Sequence, residues 1–166
     1  MNGKKAQIVG QIFIYMMAVI IIGGIMLIGY SAVKKIIVKG CEAEKVNFKA
    51  DIEDMIERYN SYGAVNKQAI KAPCEYDVIC FVDAARIEIG APPIRCSNSL
   101  INDSVKNHVQ QNIFVISNRR TIPIGYSNLV SLNSTDAGGC LCIAQRSSNF
   151  NIIFNGRGSS TEIRSG

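Results

Sequence analysis

The sequence predicts an α+β protein: a long N-terminal transmembrane helix, an amphipathic helix, and then a small antiparallel β-sheet head. Three patterns lead to this prediction. An uncharged apolar run lies near the N-terminus, a helical repeat of apolar and charged residues follows it, and short β-type segments occupy the rest of the 166-residue chain. Helices and strands that are segregated along the chain, rather than alternating, are typical of the α+β class.

The apolar run covers residues 6–33, which are 28 successive positions without a charged side chain. A helix needs about 20 apolar residues to cross the hydrocarbon core of a bilayer. A cleaved secretory signal has a shorter apolar stretch of about 7–15 residues, and a small soluble domain could not bury a helix that is apolar on every side. We therefore predict a retained transmembrane helix over 7–38. Its anchoring side chains are Ile12, Phe13, Ile20, Ile21, Ile22 and Leu27.

The net charge of +5 is concentrated at the two ends of this run. The basic residues concerned are Lys4, Lys5, Lys34, Lys35 and Lys39, and the first acidic residue is Glu42. Beyond Gly40, 13 basic residues balance 13 acidic residues, so the rest of the chain is neutral. Lysines at these positions can contact lipid headgroups, whereas a basic groove for nucleic acid is not indicated. We expect the lipid bilayer as a partner and no nucleic acid.

A second helix is predicted over 42–62, after a break or bend at Gly40-Cys41. Its apolar residues recur at intervals of three and four: Phe48, Ile52, Met55, Ile56 and Tyr59. This spacing forms one apolar face, while an acidic group of Asp51, Glu53, Asp54 and Glu57 predicts a solvated face rather than a calcium site. Gly63 is a natural end for the helix.

Short β-type segments separated by turn residues fill the remainder of the chain. They lie at 65–72, 76–83, 86–89, 112–117, 121–132 (one or two strands), 140–144, 149–154 and 160–164. A short helix carrying Leu100, Ile101, Val105 and Val109 interrupts them, and Ser97 or Asn98 can cap it. These elements predict one small antiparallel sheet in a head domain over 41–166.

All six cysteines lie outside the apolar run: Cys41, Cys74, Cys80, Cys96, Cys140 and Cys142. An even number in a small domain beside a membrane anchor predicts disulfides and an oxidising compartment. Cys140 and Cys142 point to the same face of a strand, so we expect them to bond to two different partners. Fifteen pairings remain open, as do free buried thiols. A four-thiolate zinc site with Cys74 and Cys80 is less favoured, because the spacings differ from the usual C-x₂₋₄-C.

The sequence carries no recognisable catalytic motif. His108 is the single histidine and most simply ends the short helix as a solvated or capping residue. No nucleophile has a G-x-S-x-G setting, and no C-x-x-C redox pair is present. We therefore expect neither an enzyme nor a cofactor or metal site.

The N-terminus resembles a known kind of signal. Lys4-Lys5-Ala6, followed by residues 7–11 and the apolar run, is similar to the class III signal of archaeal type IV pilin-like proteins. Segments 80–83, 103–105 and 112–116 also resemble small uncharacterised archaeal membrane-anchored proteins. The resemblance implies a cut between Ala6 and Gln7 that removes the leader 1–6. It also implies that the apolar helix stays as a stem through which subunits assemble.

Two functions are compatible with these features. The first is a membrane-anchored, pilin-like structural or surface-filament subunit that displays a disulfide-stapled head outside the cell membrane and self-associates through its N-terminal helix. The alternative is a monomeric, membrane-tethered binding module for a surface ligand. Asn102 and Asn133 begin N-x-S/T sequons, so glycans are expected as further partners at these two positions.

Overall fold

The computed structural model describes residues 3–88, 91, 93–133 and 138–166, with side chains described from residue 12 onward. The chain divides into two compact units, Met1–Ala43 and Glu44–Gly166. Helix α1 extends over Gly3–Arg58. Residues 3–43 of α1 therefore lie in the first unit, and residues 44–58 lie in the second.

The predicted break at Gly40-Cys41 is wrong, because α1 is helical through both residues. Glycine inside a helix costs about 1 kcal/mol relative to alanine. Unlike proline, it keeps the backbone N–H that the helix requires. One glycine between two strongly helical segments is therefore not enough to break the helix. The two segments form a single helix.

The second unit confirms the α+β class. After α1 it contains β1 (Val65–Lys71), β2 (Val78–Val82), a short 3₁₀ helix (Ala84–Arg86), α2 (Ser99–Lys106), β3 (Ile113–Ser117), β4 (Arg120–Gly125), β5 (Val130–Leu132), β6 (Cys140–Ala144), β7 (Asn149–Gly156) and β8 (Thr161–Ser165). The strand predicted at 86–89 is wrong at its described positions, because the 3₁₀ helix begins just before them. The Asp83 carboxylate caps that helix by accepting a hydrogen bond from the Ala85 N–H at 3.0 Å.

The strands form two four-stranded sheets rather than the one predicted. Their orders are β1-β7-β8-β5 and β4-β3-β2-β6. Every pairing is antiparallel except that of β5 with β8, which is parallel. Periodicity along a strand defines its two faces, but it does not determine which distant strand will pair with it.

The main core of the second unit joins α1 to both sheets. Phe48, Ile52 and Ile56 from α1 are buried, as the periodicity predicts, and Met55 and Tyr59 pack partly against them. The two sheets contribute Ile70, Phe150, Ile152, Phe154 and Ile163 on one side and Ile79, Phe81, Ile113, Val115 and Ile143 on the other. The predicted acidic face contains exposed Asp51, Asp54 and Glu57, with Glu53 half-buried.

Backbone contacts at Gly156 tie the end of α1 to the first sheet. The Gly63 N–H donates to Gly156 O at 3.2 Å, and the Gly156 N–H donates to Ala64 O at 2.7 Å. A Cβ atom at Gly156 would collide with Ser61 O and lie 2.6 Å from Tyr59 O. Only glycine permits this close approach of the two backbones.

A smaller core covers the opposite face of the second sheet. It contains Cys80, Val82 and Phe114 from the sheet, Ile94 before α2, and Ile101 and Val105 from α2. Asn98 caps α2, as predicted, by accepting a hydrogen bond from the Leu100 N–H at 3.0 Å. Alternation along β2 explains the division, since Ile79 and Phe81 face the main core while Cys80 faces the smaller one.

Candidate functional site

The apolar run forms a highly exposed surface on α1 in the first unit. Exposed fractions of the predicted anchoring side chains range from 53% at Ile22 to 73% at Leu27. One helix within the described residues is long and apolar enough to cross a membrane, and its apolar stretch is not buried. Soluble monomers rarely expose contiguous apolar surfaces beyond a few hundred Å², so this surface is unusual for a soluble monomer.

The predicted processing residues lie at the start of the same helix. Ala6 and Gln7 are within α1, but their side chains are outside the described part of the chain. The backbone there is helical and continuous with the apolar run. Cleavage between Ala6 and Gln7 therefore stays a prediction.

Two disulfides lie on the α2-facing side of the second sheet. The register of β2 with β6 places Cys80 directly opposite Cys142, and these residues are bonded with a Cα–Cα distance of 4.0 Å. Cys140 is bonded to Cys96, which precedes α2, with a Cα–Cα distance of 5.4 Å. The partners of Cys140 and Cys142 are therefore different, as their alternation along the strand predicts.

Cys80, Cys96, Cys140 and Cys142 together form what we call the four-sulfur cluster. The Cys96 Sγ atom lies 3.9 Å from the Cys142 Sγ atom, although these atoms belong to different disulfides. The sulfur atoms of Cys96, Cys140 and Cys142 are all within 4.8 Å of one another. Cys80 is fully buried, whereas Cys142 is exposed at the outer side of the cluster.

The cluster differs from the zinc alternative considered for the sequence. Its fourth member is Cys96 rather than Cys74, and its sulfurs are joined in disulfides. Cys41 and Cys74 are also disulfide-bonded, so all six cysteines are oxidised. Sequence spacing gave no signal for Cys96, because it lies 44 residues from its partner in an irregular segment.

Asn102 on α2 holds the backbone of Cys96. The Cys96 N–H donates to Asn102 Oδ1 at 2.8 Å, and Asn102 Nδ2 donates to Cys96 O at 2.9 Å. The first predicted glycan acceptor thus has a structural role beside the four-sulfur cluster. The second acceptor, Asn133, is described, but Ser134 and Thr135 of its sequon lie outside the described residues. Both glycans stay predictions.

A cavity of about 340 Å³ lies beside α2 and was not foreseen from the sequence. Its lining is mainly apolar in area and also includes six charged or polar residues: Arg86, Glu88, Asn102, Asp103, Lys106 and His108. His108 ends the α2 region in a left-handed conformation, with φ 54°. Its backbone N–H donates to Val105 O at 2.9 Å, and its Nδ1 atom is 3.2 Å from Ile87 O. The exposed ring agrees with the predicted solvated position, whereas the residue that caps the end of α2 is Asn107 rather than His108.

A buried carboxylate lies away from this cavity on β8. Glu162 accepts hydrogen bonds from Arg157 Nε and Arg164 Nε, each at 2.7 Å. Burial alone would raise the pKa of Glu162, but hydrogen bonds and positive charge from Arg164 and Arg157 lower it below its ordinary value. The ion pair with Arg157 links β8 to the residue that follows β7, and the ion pair with Arg164 lies within β8.

The fold and its sites define a class of protein: an α+β protein with one helix suited to a membrane and a disulfide-bonded second unit. No protein-family model, curated protein or solved structure matches this chain. The pilin-like resemblance therefore rests on the N-terminal residues that carry it. The features of the described residues that bear on function are the exposed helix, the disulfides and the cavity.

Proposed function

We propose that this protein is a membrane-anchored, pilin-like surface subunit. The exposed apolar surface of α1 supports this proposal most strongly. Transfer of apolar side chains from water into hydrocarbon is favourable by about 25 cal/mol per Å². Residues 12–33 would lie in the bilayer, and lysines such as Lys34 and Lys35 would lie among the headgroups.

The disulfides support an extracytoplasmic position for residues 44–166. Disulfides persist in oxidising compartments and are rare where cellular thiol systems keep cysteines reduced. All six cysteines are disulfide-bonded. We therefore place this unit outside the cell membrane, where the bonds would also stabilise a small domain.

The pilin-like part of the proposal concerns how the helix is used. With a rise of about 1.5 Å per residue, residues 7–38 of α1 extend about 48 Å. The hydrocarbon core of a bilayer is only about 30 Å thick. The surplus apolar surface is available for contacts between copies of this chain, as the class III resemblance implies for a filament stem.

Processing at Ala6 and Gln7 offers the sharpest test of the pilin-like proposal. Mass spectrometry of protein from its native membrane should find a chain that begins at Gln7. Ala6→Leu should block the cut, because the peptidase must accommodate the side chain beside it, while Ala18→Leu serves as a matched control within the apolar run. A native chain that starts at Met1 or Asn2 would reduce the protein to a plain signal-anchored one.

A tethered binding module is the second candidate, and the cavity beside α2 is the observation that favours it. Its basic, acidic and amide groups could bind a small polar ligand. Shearing of the cell surface separates the two functions. A filament subunit should appear in the sheared fraction as a high-molecular-weight assembly, whereas a tethered module should stay with the membrane as a monomer or small oligomer.

A further inference from the structure

The two disulfides of the four-sulfur cluster are close enough for a thiolate released from one to attack the other. Thiol–disulfide exchange occurs when a thiolate attacks one sulfur of a disulfide and displaces the other. Cys96 Sγ is 3.9 Å from Cys142 Sγ, which is near van der Waals contact for two sulfur atoms. A side-chain rotation at Cys96 would shorten this distance without any change in the β2–β6 pairing.

We propose that the four-sulfur cluster is a thiol–disulfide exchange site that passes reduction from the surface to the buried Cys80. The reductant is a small dithiol. Its first thiolate attacks Cys140 Sγ, forms a mixed disulfide with Cys140 and releases the Cys96 thiolate. The Cys96 thiolate then attacks Cys142 Sγ, forms a Cys96–Cys142 bond and releases the Cys80 thiolate, which takes a proton from water.

The second thiol of the reductant completes the reaction. It attacks the mixed disulfide, so the reductant leaves as a cyclic disulfide and Cys140 becomes a thiol. One dithiol has then been oxidised, and one of the two protein disulfides has been reduced. The protein retains a single disulfide, Cys96–Cys142, with thiols at Cys80 and Cys140.

Burial favours the persistence of this product. Cys80 has no exposed surface and lies beside Val82 and Phe114 in the smaller core. A thiol that is buried in apolar surroundings is much less reactive than an exposed thiol in a polar setting. The Cys80 thiol would therefore reverse the exchange slowly, although it sits directly across the sheet from Cys142.

Strand geometry favours Cys96, rather than Cys140, as the cysteine that forms the new disulfide with Cys142. Cys140 and Cys142 lie two residues apart on β6, so their Cα atoms are separated by about 6.6 Å. That separation is near the upper limit for a disulfide, about 6.8 Å. Cys96 lies outside the strands and does not have this restriction.

A pair of cysteine variants in the full-length chain tests the exchange without a reductant. Cys140→Ser frees the Cys96 thiol, and the matched Cys96→Ser frees the Cys140 thiol. After acid trapping, alkylation in denaturant and peptide mapping, Cys140→Ser should yield Cys96–Cys142 disulfide and labelled Cys80. Cys96→Ser should yield label at Cys140 and an intact Cys80–Cys142 bond. Label confined to Cys96 in the first variant would overturn the proposal.

The wild-type chain provides a second measurement that needs no substitution. It is treated with less than one equivalent of dithiothreitol, trapped in acid and mapped, with reduction of Cys41 and Cys74 recorded separately. Thiols at Cys80 and Cys140 with a new Cys96–Cys142 bond are expected. Thiols at Cys96 and Cys140 with the Cys80–Cys142 bond retained would show that the two disulfides react independently, and the exchange site would be rejected.

Discussion

Two parts of helix α1 differ in the arrangement and the exposure of their apolar side chains. In residues 12–43 of α1 the apolar side chains lie on every side and are exposed, with Ile21 at 55% and Leu27 at 73%. In residues 44–58 most of them form one stripe, on which Ile52 and Ile56 have no exposed surface, while Val46 lies off the stripe and is 69% exposed. A helix with one apolar stripe can bury it against a single neighbouring core. A helix that is apolar on every side can bury its side chains only in an apolar solvent. The arrangement of apolar residues, more than their number, assigns each part its environment.

The largest effect is expected from reduction of the disulfides, which should destabilise residues 44–166 but leave the apolar part of α1 unchanged. All six cysteines are oxidised, and loss of a native disulfide from a small secreted domain typically costs about 2–5 kcal/mol. Excess reductant should therefore markedly lower the melting temperature of residues 44–166 while the apolar helix stays helical in detergent. Near-ultraviolet circular dichroism follows the first change and far-ultraviolet dichroism the second. Six thiols that alkylate in the native protein before reduction would instead indicate a cytoplasmic position.

The next effect compares one isoleucine from each part of α1. Ile52→Ala leaves a cavity in the main core and should lower the free energy of unfolding by about 2–5 kcal/mol. Ile21→Ala is the matched control and should leave the unfolding of residues 44–166 unchanged, because Ile21 is exposed. Chemical denaturation in detergent measures both. Equal losses in the two variants would abolish the distinction between the two parts of the helix.

A smaller effect concerns pH, and we expect it only in the second unit. The pKa of Glu162 is lowered in the folded protein by Arg164 and Arg157. Its ionisation therefore stabilises the fold above the ordinary glutamate pKa of 4.5, and this contribution is lost as pH falls through the lower folded pKa. Glu162→Gln should be less stable than wild type at pH 7, with a difference that narrows in acid. Parallel stability–pH curves would contradict the role assigned to Glu162.

The sequence predicted the elements whose signals are local. The interval between Phe48, Ile52 and Ile56 identified the buried face of α1, and Asn98 identified the start of α2. Features that depend on distant residues were not predictable in this way. The pairing of β1 with β7 joins Val65 to Asn155, and no pattern within either strand specifies the other. The two-sheet arrangement was missed for this reason.

The candidate sites show the same limit. Alternation along β6 predicted that Cys140 and Cys142 have different partners, but Cys96 comes from an irregular segment that Asn102 holds in place. The predicted break at Gly40 was wrong for a different reason. Glycine disfavours a helix locally, but the helical residues on both sides outweigh this preference. The cavity beside α2 was missed because its lining combines two separate parts of the chain: residues 86, 88, 91, 93 and 94, and residues 102, 103, 105, 106 and 108.

Extraction from native membranes tests the central claim most directly. If residues 12–33 cross the bilayer, alkaline carbonate and high salt should leave the full-length chain in the membrane pellet, since neither treatment weakens hydrophobic transfer enough to release a spanning helix. A chain that begins at Glu42 retains the main core but lacks the apolar run, and it should remain in solution. Recovery of the full-length chain in the carbonate wash would contradict the membrane anchor, and with it the proposed function.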